Sequence, residues 1–124
     1  LSQIIFIAAG GAIGAVLRYL GSTAVYAWLG RGFPYGTLVV NTLGSLIMGI
    51  LAILLLERLS SGPELRALLL VGLLGSFTTF STFSIETLNL IEQGALIKAG
   101  TNILLSVLLC LAAAWLGTII GRQL

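Results

Sequence analysis

Residues 65–91 read LRALLLVGLLGSFTTFSTFSIETLNLI. A helix needs about 20 mostly apolar residues to cross a bilayer, and this run supplies them. Its middle departs from the pattern: residues 75–83, GSFTTFSTF, hold five hydroxyl side chains and three phenylalanines without a charge. Ser and Thr offer the backbone competing hydrogen bonds and Gly gives it too much freedom, so this segment is a poor helix in any medium. The reading is therefore a membrane helix with a break in it. Irregular backbone at membrane depth is tolerated only where it is buried in protein or lines a cavity, and broken helices in transport proteins turn freed carbonyls on cations. The carbonyls from Gly75 to Thr79 are thus candidates for a Na⁺ site. Phe77, Phe80 and Phe83 fall broadly on one helical face, where aromatic packing is one use. A second use follows from the positive edge of the ring quadrupole, which together with neutral N–H and O–H donors suits an anion.

The rest of the chain agrees that the solvent is lipid. Of 124 residues, 58% are hydrophobic and 8% charged, and the mean hydropathy is +1.14, outside the range of soluble domains. Charges and turn residues divide it into four apolar spans, about 4–29, 36–56, 65–91 and 95–120, separated by Gly30-Arg31-Gly32-Phe33-Pro34, by Glu57-Arg58 with the loop Ser60-Ser61-Gly62-Pro63-Glu64, and by a short turn after Ile91. The expected fold is an all-α membrane protein, one four-helix transmembrane domain covering residues 1–124, with the break in its third helix. The first apolar stretch lacks a basic n-region and exceeds the length of an h-region, so it is expected to remain in the mature protein.

Charge excludes several function classes. The chain has no His and no Asp, and its acids are Glu57, Glu64, Glu86 and Glu92, which leaves no nucleophile–base pair or metal cluster for an enzyme. Six scattered basic residues and a net charge of +2 leave no nucleic-acid footprint. Cys110 has no partner for an internal disulfide. Lys and Arg also fail to orient the chain: Arg58, Arg66 and Arg122 lie on one side, Arg31 and Lys98 on the other, with Arg18 joining them if it reaches the interface. This near-tie leaves two readings open: insertion in both directions, with an antiparallel homodimer as its consequence, or a single topology set by a subtler signal than the Lys/Arg bias.

Within the spans, glycine is placed for packing. Gly10 and Gly14 make a GxxxG pair, Gly44 and Gly49 thin the second span, and Ala113, Gly117 and Gly121 form a ridge of small residues on the fourth. Two polar stripes have helical spacing: Thr37, Asn41 and Ser45, and Asn102, Ser106 and Cys110. Together with Ser81 and Thr82 they outline a neutral track, although a Ser or Thr hydroxyl can equally bond back to its own helix. Asn41 stands out because a carboxamide at membrane depth needs partners and carries two N–H donors. Arg18 is read either as a side chain snorkelling to the headgroups or as a fixed positive charge in a vestibule. Glu86 is read as the partner of a basic residue that holds the broken helix, or as a simple helix-end acid.

These residues resemble the small fluoride channels of the Fluc or CrcB family over essentially the whole length. The resemblance rests on Gly10-Gly11-x-x-Gly14-x-x-x-Arg18-Tyr19, on Gly36-Thr37-Leu38-Val39-Val40-Asn41-x-x-Gly44, and above all on Gly75-x-Phe77-Thr78-Thr79-Phe80-Ser81-Thr82-Phe83-Ser84-x-Glu86. It implies a dual-topology antiparallel homodimer with two pores that passes fluoride passively, excludes chloride and lowers cytoplasmic fluoride. Carried over by position, Phe80 and Phe83 contact the ion by ring edges and Asn41 donates beside them. Thr37, Ser81, Thr82 and Ser106 belong to the polar track and Arg18 to the vestibule. Gly75 and Thr78 give backbone carbonyls to a structural Na⁺ shared by two subunits. A hydroxyl residue is expected where Cys110 stands, and Asn102 takes a variable position without an assigned role. The implied setting is a bacterial inner membrane, with fluoride, lipid and a second copy as partners and no nucleic acid.

Two other readings compete. A small multidrug-resistance exporter also builds four spans and an antiparallel dimer, but trades protons for cationic compounds on a membrane carboxylate; the first span has no acid, and Glu86 follows the break. A non-transporting subunit would use the glycine faces only to pack a partner.

Overall fold

Four apolar helices, each long enough to cross a membrane, make up the computed structural model, which describes residues 1–59 and 61–124; Ser60, assigned by sequence to the second loop, lies outside the described residues. The first, α1 (Ser2–Leu29), rises about 42 Å at 1.5 Å per residue. It stops at Gly30, whose φ of 84° only glycine adopts readily and whose N–H bonds the Tyr26 carbonyl at 2.8 Å. The second span comprises α2 (Tyr35–Ile53), entered from Pro34, and a wider π-helical turn, Leu54–Arg58, closed by Leu59 N–H on the Leu54 carbonyl at 2.7 Å. At its end Glu57 lies 3.9 Å from Arg122, an exposed pair of little energetic weight.

The third span, Pro63–Glu92, is the irregular one. It opens as α3 (Pro63–Arg66), with Pro63 in the first turn, where its missing N–H costs nothing, and Glu64 beside the positive helix end. Helix therefore begins at Pro63, and Glu64 belongs to it rather than to the preceding loop. A π-helical segment, Ala67–Leu74, and a single turn, α4 (Gly75–Phe77), follow. Thr78 (φ −90°, ψ 155°) and Thr79 (φ −150°, ψ 123°) are extended, and helix resumes as α5 (Phe80–Glu92). The end of α5 is a Schellman turn: Gly94, at φ 80°, donates to the Ile91 carbonyl and Ala95 to that of Leu90. The fourth span is α6 (Leu96–Gln123).

Packing is by backbone approach. The first helix lies along the early part of the third span and α2 lies along α6. A Cβ on Gly10 would stand 2.8 Å from the Leu73 nitrogen, and one on Gly72 2.7 Å from the Ile7 carbonyl oxygen. Across the other pair, a Cβ on Gly117 would meet the Ile50 nitrogen at 2.9 Å and the Gly49 Cα at 3.0 Å. Gly10, Gly14, Gly44, Gly49, Ala113, Gly117 and Gly121 are all buried, so the small residues singled out in the sequence are where helices touch. Large apolar side chains point the other way: Leu104, Leu108 and Trp115 on α6 are exposed, as is Trp28 near the end of α1. In water that surface would be untenable; against lipid tails it is the expected exterior.

Candidate functional site

Of the two extended residues, Thr78 keeps its N–H on the Leu74 carbonyl at 3.1 Å, and Thr79 is held by a neighbouring helix. Asn41, on α2, accepts from the Thr79 N–H through Oδ1 at 2.7 Å and donates to the Thr79 carbonyl through Nδ2 at 2.9 Å. A primary amide has one acceptor and one donor edge side by side, so it clips onto an extended residue as a neighbouring strand would. Gly44, one turn on, allows the close approach: a Cβ there would press on the Thr78 methyl group and lie 3.0 Å from the Phe77 ring. From the opposite side Arg18 Nε donates to the Ser76 carbonyl at 3.0 Å. The Ser76 hydroxyl donates to the Gly11 carbonyl at 2.9 Å and lies 3.2 Å from that of Leu73. Thr79 then caps the new helix, its Oγ1 accepting from the Thr82 N–H at 3.2 Å.

Below this clip a groove of about 510 Å³ runs between α2, the start of α5 and α6. Its polar wall carries Asn41, Ser45, Ser106 and Cys110, and its aromatic wall Phe80 and Phe83. The two rings are 5.3 Å apart between centroids and tilted by 40°, and Phe80 is 78% exposed. Among the described residues that line the groove none is charged. Asn41 keeps one N–H beyond the one held by Thr79. Cys110 Sγ lies 3.9 Å from the Thr42 hydroxyl, a weak sulfur contact.

The site residues read from sequence divide accordingly. Asn41, Phe80, Phe83, Thr78 and Ser106 meet at the groove. Thr37, on the same stripe as Asn41, is only 5% exposed and does not line it. Ser81 and Thr82 gather on the Thr79 hydroxyl, at 3.3 and 3.2 Å. Gly75 is exposed, outside the groove lining. Arg18 has a backbone partner at membrane depth, which neither sequence reading supplied. Glu86 accepts from the Tyr26 hydroxyl at 2.8 Å rather than from a basic residue, and its other oxygen is buried without a partner. Ser76, Tyr26 and Thr87 escaped the sequence reading because each acts through a partner 15 or more positions away. A hydroxyl inside an apolar run was the only available signal.

The profile of the family described as CrcB-like protein, Camphor Resistance (CrcB) matches residues 5–118. The chain belongs to the CrcB family. A CrcB relative from Magnetococcus marinus, the fluoride-specific ion channel FluC, is 61% identical over 120 residues, covering 97% of this chain and 98% of the relative. The protein of the same name from Coxiella burnetii (strain Dugway 5J108-111) is 57% identical over 123 residues, covering 98% and 99%. The one from Methylococcus capsulatus is 54% identical over 118 residues; that match covers 95% of this chain, which spans about half, 52%, of the longer relative. Four apolar helices and membership of the CrcB family make the chain a multi-pass membrane protein.

Proposed function

We propose that the chain is a subunit of a passive fluoride-selective channel, not an enzyme, which lets fluoride leave the cytoplasm of a bacterium across its inner membrane. The observation that carries this reading is the uncharged groove in which Phe80 and Phe83 face Asn41, Ser45 and Ser106, in a chain whose relatives bear the name fluoride-specific ion channel. Fluoride is compact and strongly hydrated, so a path through the membrane must replace several waters with donors. Amide and hydroxyl N–H and O–H groups do this on one wall, and the positive edges of the phenyl rings on the other. Larger halides do not fit the same spacing of donors. Without a fixed positive charge in the lining, the ion is held weakly enough to leave. Flux then runs down the electrochemical gradient.

The functional unit in this reading is an antiparallel, dual-topology homodimer with two pores. Its support is the balanced Lys/Arg distribution and the largely exposed Phe80 ring, which leaves one wall of the groove for a second copy to complete. A structural Na⁺ on the dimer axis fits the donor set. The Thr79 N–H, which a continuous helix would give to the Gly75 carbonyl, is taken by Asn41, and the Thr82 N–H, due to the Thr78 carbonyl, is taken by Thr79 Oγ1. The carbonyl oxygens of Gly75 and Thr78 are thereby left without their helical donors, and neutral oxygens of this kind suit a hard monovalent cation. Bound there, Na⁺ would neutralise carbonyl dipoles that otherwise meet at the subunit boundary.

Protein reconstituted in liposomes and followed with a fluoride electrode should release fluoride far faster than a chloride electrode reports chloride release. Equal rates would overturn the selectivity, and no release of either ion would overturn the channel.

A further inference from the structure

Asn102 is buried to 2% exposure in a helix that otherwise faces largely outward, and it does not line the groove. Its Nδ2 donates to Thr87 Oγ1 at 2.9 Å, and that hydroxyl donates to the Phe83 carbonyl at 2.7 Å. On its other side, Asn102 Oδ1 accepts from the Ser106 hydroxyl at 3.4 Å. All three bonds run in one direction, from the groove wall at Ser106 to the backbone of Phe83, so each donor polarises the next. Among the described residues the Asn102–Thr87 bond is the one side-chain hydrogen bond that α6 makes to α5. The two walls of the groove therefore meet through it.

The distances separate two tasks. The bonds at 2.9 and 2.7 Å have ordinary strong geometry, whereas 3.4 Å is long for an O–H···O bond. The firm pair holds Phe83 at a set distance from α6. The loose one keeps the Ser106 oxygen beside Asn102 and would leave its hydrogen free to turn to a better acceptor. An anion is such an acceptor, and Asn102 is not among the residues lining the groove that would hold it.

We infer that Asn102, acting through Thr87, is a positioning residue for the anion path, holding the Phe83 ring and the Ser106 hydroxyl at the spacing that a small halide requires. The inference rests on the fluoride-channel reading and adds to it a buried residue outside the pathway that sets selectivity. Replacing the amide or the Thr87 hydroxyl by a hydrocarbon leaves a buried partner unsatisfied and the distance between the walls unset. A defect that merely lowered the number of folded channels would reduce all fluxes together. A defect in spacing changes the ratio between ions.

The test compares fluoride and chloride efflux from liposomes for wild type, Asn102→Leu, Thr87→Val, Thr87→Ser and the double variant Asn102→Leu/Thr87→Val, at matched amounts of protein eluting as the wild type does on gel filtration. Asn102→Leu and Thr87→Val should each lower fluoride efflux about ten-fold, the scale of one buried polar group left unpaired, and narrow the fluoride-to-chloride ratio. Thr87→Ser, which keeps the hydroxyl, should retain both, and the double variant should be no worse than its poorer parent. If Asn102→Leu does not fold, the isosteric Thr87→Val decides alone. Wild-type behaviour in Thr87→Val, a lowered efflux with an unchanged ratio, failure of Thr87→Ser, or multiplicative losses in the double variant would each overturn the relay. A wild type that passes no fluoride would overturn the channel reading and the relay with it, whereas a conducting wild type with unaffected variants removes the relay alone.

Discussion

Asn41→Ala removes both hydrogen bonds that hold Thr79 extended, at 2.7 and 2.9 Å. A backbone group left unpaired inside a protein costs about 1–3 kcal/mol, so two would approach about 6 kcal/mol in a dry site. Thr79 is half-buried beside an open groove, and polar bonds between membrane helices average nearer 0.6 kcal/mol, so a loss of about 2 kcal/mol in local stability is expected. Because each 1.4 kcal/mol is ten-fold, the Thr79 amide should lose roughly 30-fold in hydrogen-exchange protection. The amides of α1 around Gly10, which rest on a different part of the third span, should be unchanged. Asn41→Asp separates the two bonds: its carboxylate still accepts from the Thr79 N–H but cannot donate to the Thr79 carbonyl. It should retain part of the protection while placing a negative charge in the groove and stopping anion flux. Exchange is read by NMR in detergent micelles, and flux by an ion electrode on liposomes. Wild-type protection of Thr79 in Asn41→Ala would refute the view that the amide holds the extended segment.

Three other perturbations have defined outcomes. Phe80→Ile and Phe83→Ile keep apolar volume at the groove but remove the ring edges, and liposome efflux of fluoride should fall at least ten-fold; wild-type flux in both would leave the rings a packing role only. Gly117→Ala puts a methyl group 2.9 Å from the Ile50 nitrogen and should destabilise by about 1–3 kcal/mol. Gly100→Ala, in the same helix with nothing within 4 Å, should be neutral or gain up to about 1 kcal/mol; thermal unfolding in detergent compares the two. Adding Lys beside Arg31 and Lys98 should bias insertion to one direction and lower fluoride flux, with site-specific labelling of single cysteines reporting orientation; unchanged flux in singly oriented protein would argue against the antiparallel pair.

The four spans were legible because hydropathy is a local property: apolar runs of this length have few alternatives to a membrane helix. The glycines were legible as packing positions for a similar reason, since a small residue repeated at helical spacing has one evident use in lipid. In residues 75–83 the density of Ser and Thr marked where regular helix is weakest, and Thr78 and Thr79 are the two residues that leave it. Partnerships were not legible. For Glu86 the sequence offers a basic partner or a simple helix-end role, and geometry gives it the Tyr26 hydroxyl 60 positions away. The spacing of Thr37, Asn41 and Ser45 places them on one helical stripe, yet Thr37 is buried away from the groove, because α2 lies against α1 as well as α6.

By itself, then, the sequence determined the solvent, the number of membrane-length helices and the nine-residue stretch within which helix is weakest. These follow from composition and short-range spacing, which every chain carries whatever its tertiary structure. Only the tertiary structure decided how that failure is made tolerable: Asn41 binds Thr79 from 38 positions away and Arg18 binds the Ser76 carbonyl from 58. It also decided that Asn102 turns inward to Thr87 while Ser106, one turn on, faces the groove. The physical reason is that a hydrogen bond depends on a few tenths of an ångström and a few tens of degrees. Periodicity resolves the face of a helix but not the neighbour that the face will meet.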